Sequence, residues 1–97
     1  MKKGIVEIFV LAILKKGPSY GYKIVSDLSR YTEISESTLY PILRRLESNG
    51  ELRTYNELFQ GRNRKYYAIT ASGISHINQF TEEWQDIMNL YDILLGR

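Results

Sequence analysis

The sequence predicts a mainly α-helical fold that carries one β-hairpin: three short helices, the hairpin, then a long final helix. Three observations lead there. Apolar residues recur with helical period before residue 50 and again after residue 70. The stretch between them reads as two strands around a glycine turn. Ser35 and Thr70 stand as helix caps, and Asn49-Gly50 stands as a helix stop. A chain of 97 residues supports one small core, with residues 1–70 as a body and 71–97 as an extension joined to it without a linker.

The first helix is expected from about Lys3 to Lys16, stopped by Gly17 and Pro18. Ile5, Val6, Ile8, Phe9, Val10, Leu11, Ile13 and Leu14 surround most of its cylinder, so it must be covered on more than one side. Two lysines ahead of this apolar run resemble a signal peptide. Glu7 interrupts the run, Lys15 and Lys16 close it, and about 10 apolar positions are too few to span a bilayer. A buried helix of a cytoplasmic protein, with no membrane partner, is the expectation.

Ser19 is expected to cap a second helix from Tyr20 to about Arg30, with Gly21, Ile24, Leu28 and Tyr31 as its inner stripe. Gly21 lowers helix propensity, which points to close packing against another helix. The third helix, capped by Ser35 with Ile34 and Leu39 as a staple, ends at Asn49-Gly50. Strands 51–58 and 64–69 follow, joined by "FQGRN" with Gly61 and Asn63 in the turn. Thr70 caps the last helix, with Ile69 and Ile74 as its staple pair.

The third helix carries the chemistry. Leu39, Ile42, Leu43 and Leu46 form its buried stripe, and at about 100° per residue the opposite side holds Ser37, Pro41, Arg44 and Ser48, flanked by Thr38 and Arg45. Arginine forks match guanine edges and phosphates, and short hydroxyls reach phosphate oxygens. The helix N-terminus adds free N–H groups and a dipole that favours anions. Pro41 is expected to follow a tight or kinked first turn, with a regular helix starting from its ring.

A preceding helix, a short turn, this helix and a basic hairpin make a winged helix-turn-helix. The hairpin sets Arg62, Asn63, Arg64 and Lys65 together beside Gly61, cationic reach on a mobile tip. Tyr66 and Tyr67 point to opposite faces, one into the core and one outward. Tyr22, off the inner stripe, joins the DNA-facing set as an outlying member whose plain reading is a surface tyrosine. Charge follows the same division. Residues 1–70 hold 12 Lys/Arg against 7 Asp/Glu, and residues 71–97 hold 1 against 4, so only the body suits a polyanion.

The segments "GYKI", "STLYPILRRLESNG" and "GRNRKYYAIT", followed by Gly73, resemble the PadR family of transcriptional regulators, and the resemblance spans nearly the whole chain. Its single C-terminal helix is similar to that of the smaller members. The chain departs from the pattern in placing Ser19-Tyr20 before Gly21, where histidine is frequent. The resemblance implies a winged-helix dimer that represses transcription from an inverted-repeat operator. It assigns DNA contacts to Ser37, Thr38, Tyr40, Pro41 and Arg44 and to the wing around Arg64 and Lys65.

In the last helix Ile77, Phe80, Trp84, Ile87, Tyr91 and Leu94 follow heptad spacing, widened by Met88, Leu90 and Leu95. At about 1.5–3 kcal/mol for each large side chain buried, the six seam residues carry roughly 9–18 kcal/mol. A whole small domain has about 5–15 kcal/mol of net stability. A homodimer is therefore expected, with Ile5, Ile8 and Phe9 of the first helix sharing the interface. The family resemblance adds an effector pocket for a small flat aromatic ligand at the dimer axis, flanked by Trp84 with Ile8 and Met88; ordinary interface packing is the plain reading of Trp84.

An enzyme is not expected. The chain has no cysteine, which excludes disulfides, thiolate metal sites and cysteine nucleophiles. His76, the only histidine, has no local nucleophile beside it, and Glu82, Glu83 and Asp86 form a solvated face rather than a catalytic pair or metal set. No cofactor or metal is expected. Two other classes stay open at this stage: a winged-helix module for protein–protein contact, and a small-molecule sensor without direct operator binding.

Overall fold

The computed structural model describes residues 3–97, in the order α1 (Lys3–Lys15), β1 (Ser19–Tyr20), α2 (Gly21–Leu28), α3 (Glu36–Ser48), β2 (Leu52–Phe59), β3 (Arg62–Ile69) and α4 (Ala71–Leu94). Val10, Leu11 and Leu14 of α1, Ile24 and Leu28 of α2, the leucine stripe of α3, Leu52 and Tyr67 meet in one core. Helix α1 stops where expected. Gly17 takes φ +151°, and its N–H donates to the Leu14 carbonyl at 3.1 Å.

The α1–α2 junction differs from the expectation. Ser19 and Tyr20 form a two-residue strand, Ser19 opposite Tyr67 and Tyr20 opposite Tyr66, which gives an antiparallel sheet in the order β1-β3-β2. Tyr20 therefore holds the cap position of α2, without a side-chain bond. The buried Ser19 hydroxyl has no hydrogen-bond partner among the described residues. Helix α2 also ends sooner than expected, at Leu28, where the Ser29 hydroxyl donates back to the Val25 carbonyl at 2.7 Å. Beyond that point helical phase is lost. Tyr31 leaves the inner stripe, is 63% exposed, and stacks on Phe9 with 6.0 Å between ring centroids.

Helix α3 begins at its expected cap, the Thr38 N–H donating to Ser35 Oγ at 3.3 Å. It runs unbroken through Pro41 rather than restarting there. The missing bond lies between Pro41 and Ser37, both exposed, and the helix continues past it. The far end is a Schellman motif: Glu51 N–H donates to the Leu46 carbonyl at 2.9 Å, Gly50 N–H to Glu47 at 3.0 Å, and Gly50 has φ +76°.

The hairpin turn is shorter than expected. Gln60 and Gly61, at φ +52° and +79°, form a two-residue type I′ turn, and pairing continues out to Phe59 opposite Arg62. Asn63 is accordingly a strand residue.

Helix α4 is anchored only at its start. Thr70 Oγ1 donates to the Gly50 carbonyl at 2.6 Å and accepts from Gly73 N–H at 3.2 Å. Gly73 is buried so closely that a Cβ there would lie 2.6 Å from Ile69 Cγ1. His76 pairs with Glu51 of the α3–β2 corner, a partner 25 residues away that no local pattern announces. Ile77 and Phe80 are half-buried, but every residue from 81 to 91 is exposed. The projecting helix stretches the molecule to 60 × 27 × 20 Å.

Gly21 sits under the ring of Tyr40. A Cβ there would collide with the Tyr40 hydroxyl and come within 2.9 Å of Cζ. Gly21→Ala is expected to cost about 1–3 kcal/mol through overpacking, and far less in a Tyr40→Ala background. Urea unfolding of the four variants of that cycle measures the difference, and equal costs in both backgrounds would remove Tyr40 as the constraint.

Candidate nucleic-acid interface

The burial of the α3 leucines fixes which side of that helix meets solvent. Leu39, Leu43 and Leu46 are fully buried, and Ser37, Thr38, Pro41, Arg44 and Ser48 are all exposed, as the periodicity requires. At the helix start three hydroxyls share hydrogen bonds: Ser35 Oγ lies 2.9 Å from Ser37 Oγ and 3.2 Å from Thr38 Oγ1. Such hydroxyls exchange their mutual bonds for an incoming phosphate oxygen at little cost, beside the free N–H groups of the first turn.

Arg45 is not on this face. Its Nε and Nη2 both donate to the Glu7 carboxylate of α1 in a partly buried pair. Arg44 and Arg45 point about 100° apart, so one faces outward and the other turns back onto the first helix. Arg45, placed in the DNA-facing set by the sequence, thus has its guanidinium paired inside the chain.

The wing cations also divide. Arg62, Asn63 and Lys65 are exposed. Arg64 is clamped between two rings, with its guanidinium carbon 3.8 Å from the Phe59 centroid and 3.9 Å from the Tyr20 centroid. The stack continues along the sheet: Tyr20 meets Tyr66 edge-on at 5.6 Å, and Tyr66 stacks on Tyr55 at 5.5 Å. Each cation–ring contact contributes about 0.5–1 kcal/mol at an exposed site and more when desolvated. The clamp holds the plane of Arg64 and ties the wing to the start of α2. Sequence reasoning missed Phe59 and Tyr20. Phe59 had a signal, because a two-residue turn places it opposite Arg62 and on the face of Arg64.

Between wing and helices lies a groove of about 650 Å³, lined by Tyr22, Tyr40, Phe59, Arg62 and Arg64 among others. Tyr22 is 71% exposed at its edge. Burial raises the Tyr40 phenol above its usual pKa, and the Glu36 charge and Tyr67 raise it further. Tyr67 is raised by burial and then by Glu47, with Arg44 opposing. Both phenols are therefore neutral at physiological pH, and Tyr40 offers the groove a hydroxyl rather than a repelling phenolate.

The expected seam residues are left open by the single chain. Trp84, Ile87, Met88, Tyr91 and Leu94 are exposed, while Ile5, Ile8, Phe9, Ile77 and Phe80 are half-buried. Trp84 stacks on Phe80, with centroids 6.3 Å apart and planes 13° apart. Among the described residues no group of three or more His, Cys, Asp or Glu side chains is placed to hold a metal, and no helix is long and apolar enough to cross a membrane.

The family model of the transcriptional regulator PadR-like family matches residues 10–79. The chain is 32% identical over 96 residues to the transcriptional regulator Rv3488 of Mycobacterium tuberculosis, covering 98% of this chain and 87% of that protein. It resembles the crystal structure of smu.1704 from Streptococcus mutans with a TM-score of 0.85 and 44% identity, over 99% of this chain and 92% of the other. Bacillus subtilis PadR, solved in complex with operator DNA, shares the fold at a TM-score of 0.73 with 23% identity, over 79% of this chain and 46% of that one. With the family model covering α2, α3, the wing and the anchored start of α4, the chain belongs to the PadR-like family of transcriptional regulators, a family of regulators rather than enzymes.

Proposed function

We propose that this protein is a homodimeric repressor that binds an inverted-repeat operator in double-stranded DNA, with α3 in the major groove and the wing on the flanking backbone. The observation that carries the reading is the uncovered face of α3, Ser37, Thr38, Pro41 and Arg44, with Tyr40 beside it on the same groove as Arg62, Asn63, Arg64 and Lys65. The operator complex of the Bacillus subtilis relative supports the assignment by its shared fold. In this reading Arg44 reads a base edge, Arg62, Asn63 and Lys65 meet the backbone, and Arg64 presents a fixed rim of N–H donors from its aromatic clamp.

Fluorescence anisotropy on duplexes selected from a randomised pool tests the reading. Arg44→Ala is expected to cost about 1–3 kcal/mol and to relax one position per half-site, whereas Lys65→Ala weakens all sequences alike and lowers the salt slope by about one. Binding that is flat with salt would favour the protein–protein module instead.

The dimer reading rests on the exposed seam of α4. Five large apolar side chains in water along one projecting helix form a patch that a monomer of this size does not sustain. The native protein is expected to sediment as a dimer, and Ile87→Glu to yield unfolded or aggregated chain. A well-folded native monomer at micromolar concentration would exclude the dimer.

The half-exposed Trp84, stacked on Phe80, supports an aromatic effector at the same seam. Planar aromatic compounds are expected to quench its fluorescence and weaken operator binding together, with a coupling of about 1–3 kcal/mol. Quenching without a change in DNA affinity would leave a pocket but no switch.

A further inference from the structure

Among the described residues three ion pairs occur, and only one of them joins two helices of the DNA-binding body: Glu7 on α1 with Arg45 on α3. The pair is partly buried, with the Glu7 side chain 16% and the Arg45 side chain 33% exposed. A carboxylate covered to that extent is costly without its partner. Both Nε and Nη2 of Arg45 donate to the same oxygen, Glu7 Oε1. That fork holds the plane of the guanidinium and ties α3 to α1 at this point.

The leucines of α3 cannot supply this constraint alone. Apolar burial is non-directional and tolerates small rotations and slides of one helix against another. A two-donor fork does not. Its two ends also lie on elements with different tasks. Glu7 is in α1, between Val6 and Ile8, on the helix that packs against α4. Arg45 follows directly on Arg44, the outward cation of α3. The pair therefore connects the surface expected to meet a second subunit with the surface expected to meet DNA.

We propose that Arg45 is a positioning residue which, through Glu7, sets the angle of α3 relative to the subunit interface and thereby the half-site spacing that the dimer accepts. This rests on the operator-binding dimer proposed above. A rigid dimer holds its two reading helices about one turn of DNA, ~34 Å, apart. One inserted base pair moves a half-site by about 3.4 Å and rotates it by roughly 34°. A locked α3 resists that displacement, whereas a loosened one follows part of it and lowers its cost.

The test uses the native chain, Glu7→Gln, Arg45→Gln and the double variant, on one selected duplex and on the same duplex with one base pair added or removed between half-sites. The native protein is expected to lose about a hundredfold in affinity on either change, comparable to one or two mismatched base pairs. Each single variant should lose about tenfold or less, with an unchanged salt slope, and the double variant should match the singles, as for two ends of one interaction. Glu7→Gln keeps size but removes the charge that draws both donors onto one oxygen, so it carries the test if Arg45→Gln does not fold. Unchanged spacing discrimination in a folded, dimeric Glu7→Gln would overturn the inference and leave the operator reading standing. So would an Arg45→Gln that lowers the salt slope by about one while Glu7→Gln behaves as native, because that marks a direct phosphate contact. No binding by the native protein to any selected duplex would overturn the operator reading, and this inference with it.

Discussion

The burial of Leu39, Leu43 and Leu46 is the constraint on which the rest of the molecule depends. A helix of thirteen residues has one orientation that hides three leucines and an isoleucine from water, and that orientation leaves the hydroxyl and arginine side outward. Everything around α3 serves this placement. The hydroxyl end of Tyr40 abuts Gly21 at one shoulder, Arg45 reaches Glu7 at the other, and Thr54 Oγ1 donates to Glu47 Oε2 at 2.9 Å near the C-terminal end. The polar face of α3 is thus what the core leaves uncovered.

Charge is divided with equal economy. Arg44, Arg62 and Lys65 are exposed, while Arg45 and Arg64 are held by a carboxylate and by two aromatic rings. The first group supplies long-range attraction for a polyanion, and the second supplies local rigidity. The projecting α4 carries exposed Glu82, Glu83 and Asp86. A polyanion approaching the molecule is repelled from the extension and drawn to the body, which orients the encounter before any contact forms.

Helix α3 and the start of α4 are legible in the sequence because their determinants are local: a 3.6-residue period, a hydroxyl cap, a glycine stop. The exposed seam of α4 is legible for the same reason. What stays hidden is decided by residues far apart in the chain. The two residues of β1 have no periodicity to detect, and only the presence of Tyr66 and Tyr67 opposite makes them a strand. Arg45 sits at the border of the polar face, and Glu7, 38 positions earlier, settles its direction. Arg64 looks like any wing cation until Tyr20, from the other end of the domain, closes over it. The hairpin turn misleads for a different reason. Gln60 adopts a left-handed conformation normally left to Gly, Asn or Asp, so the "FQGRN" segment reads as a longer loop than it is.

The shortness of β1 has one more effect. It pairs only with Tyr66 and Tyr67, so the segment of β3 from Arg62 to Lys65 is bonded to β2 on one side and, among the described residues, has no strand on the other. An unpaired edge of this kind is a template for another chain, and natural sheets guard such edges with charge. Three of its four residues are cationic. Two copies of the wing brought edge to edge would set these charges against each other, so the residues offered to a polyanion also keep free protein from polymerising through its own sheet.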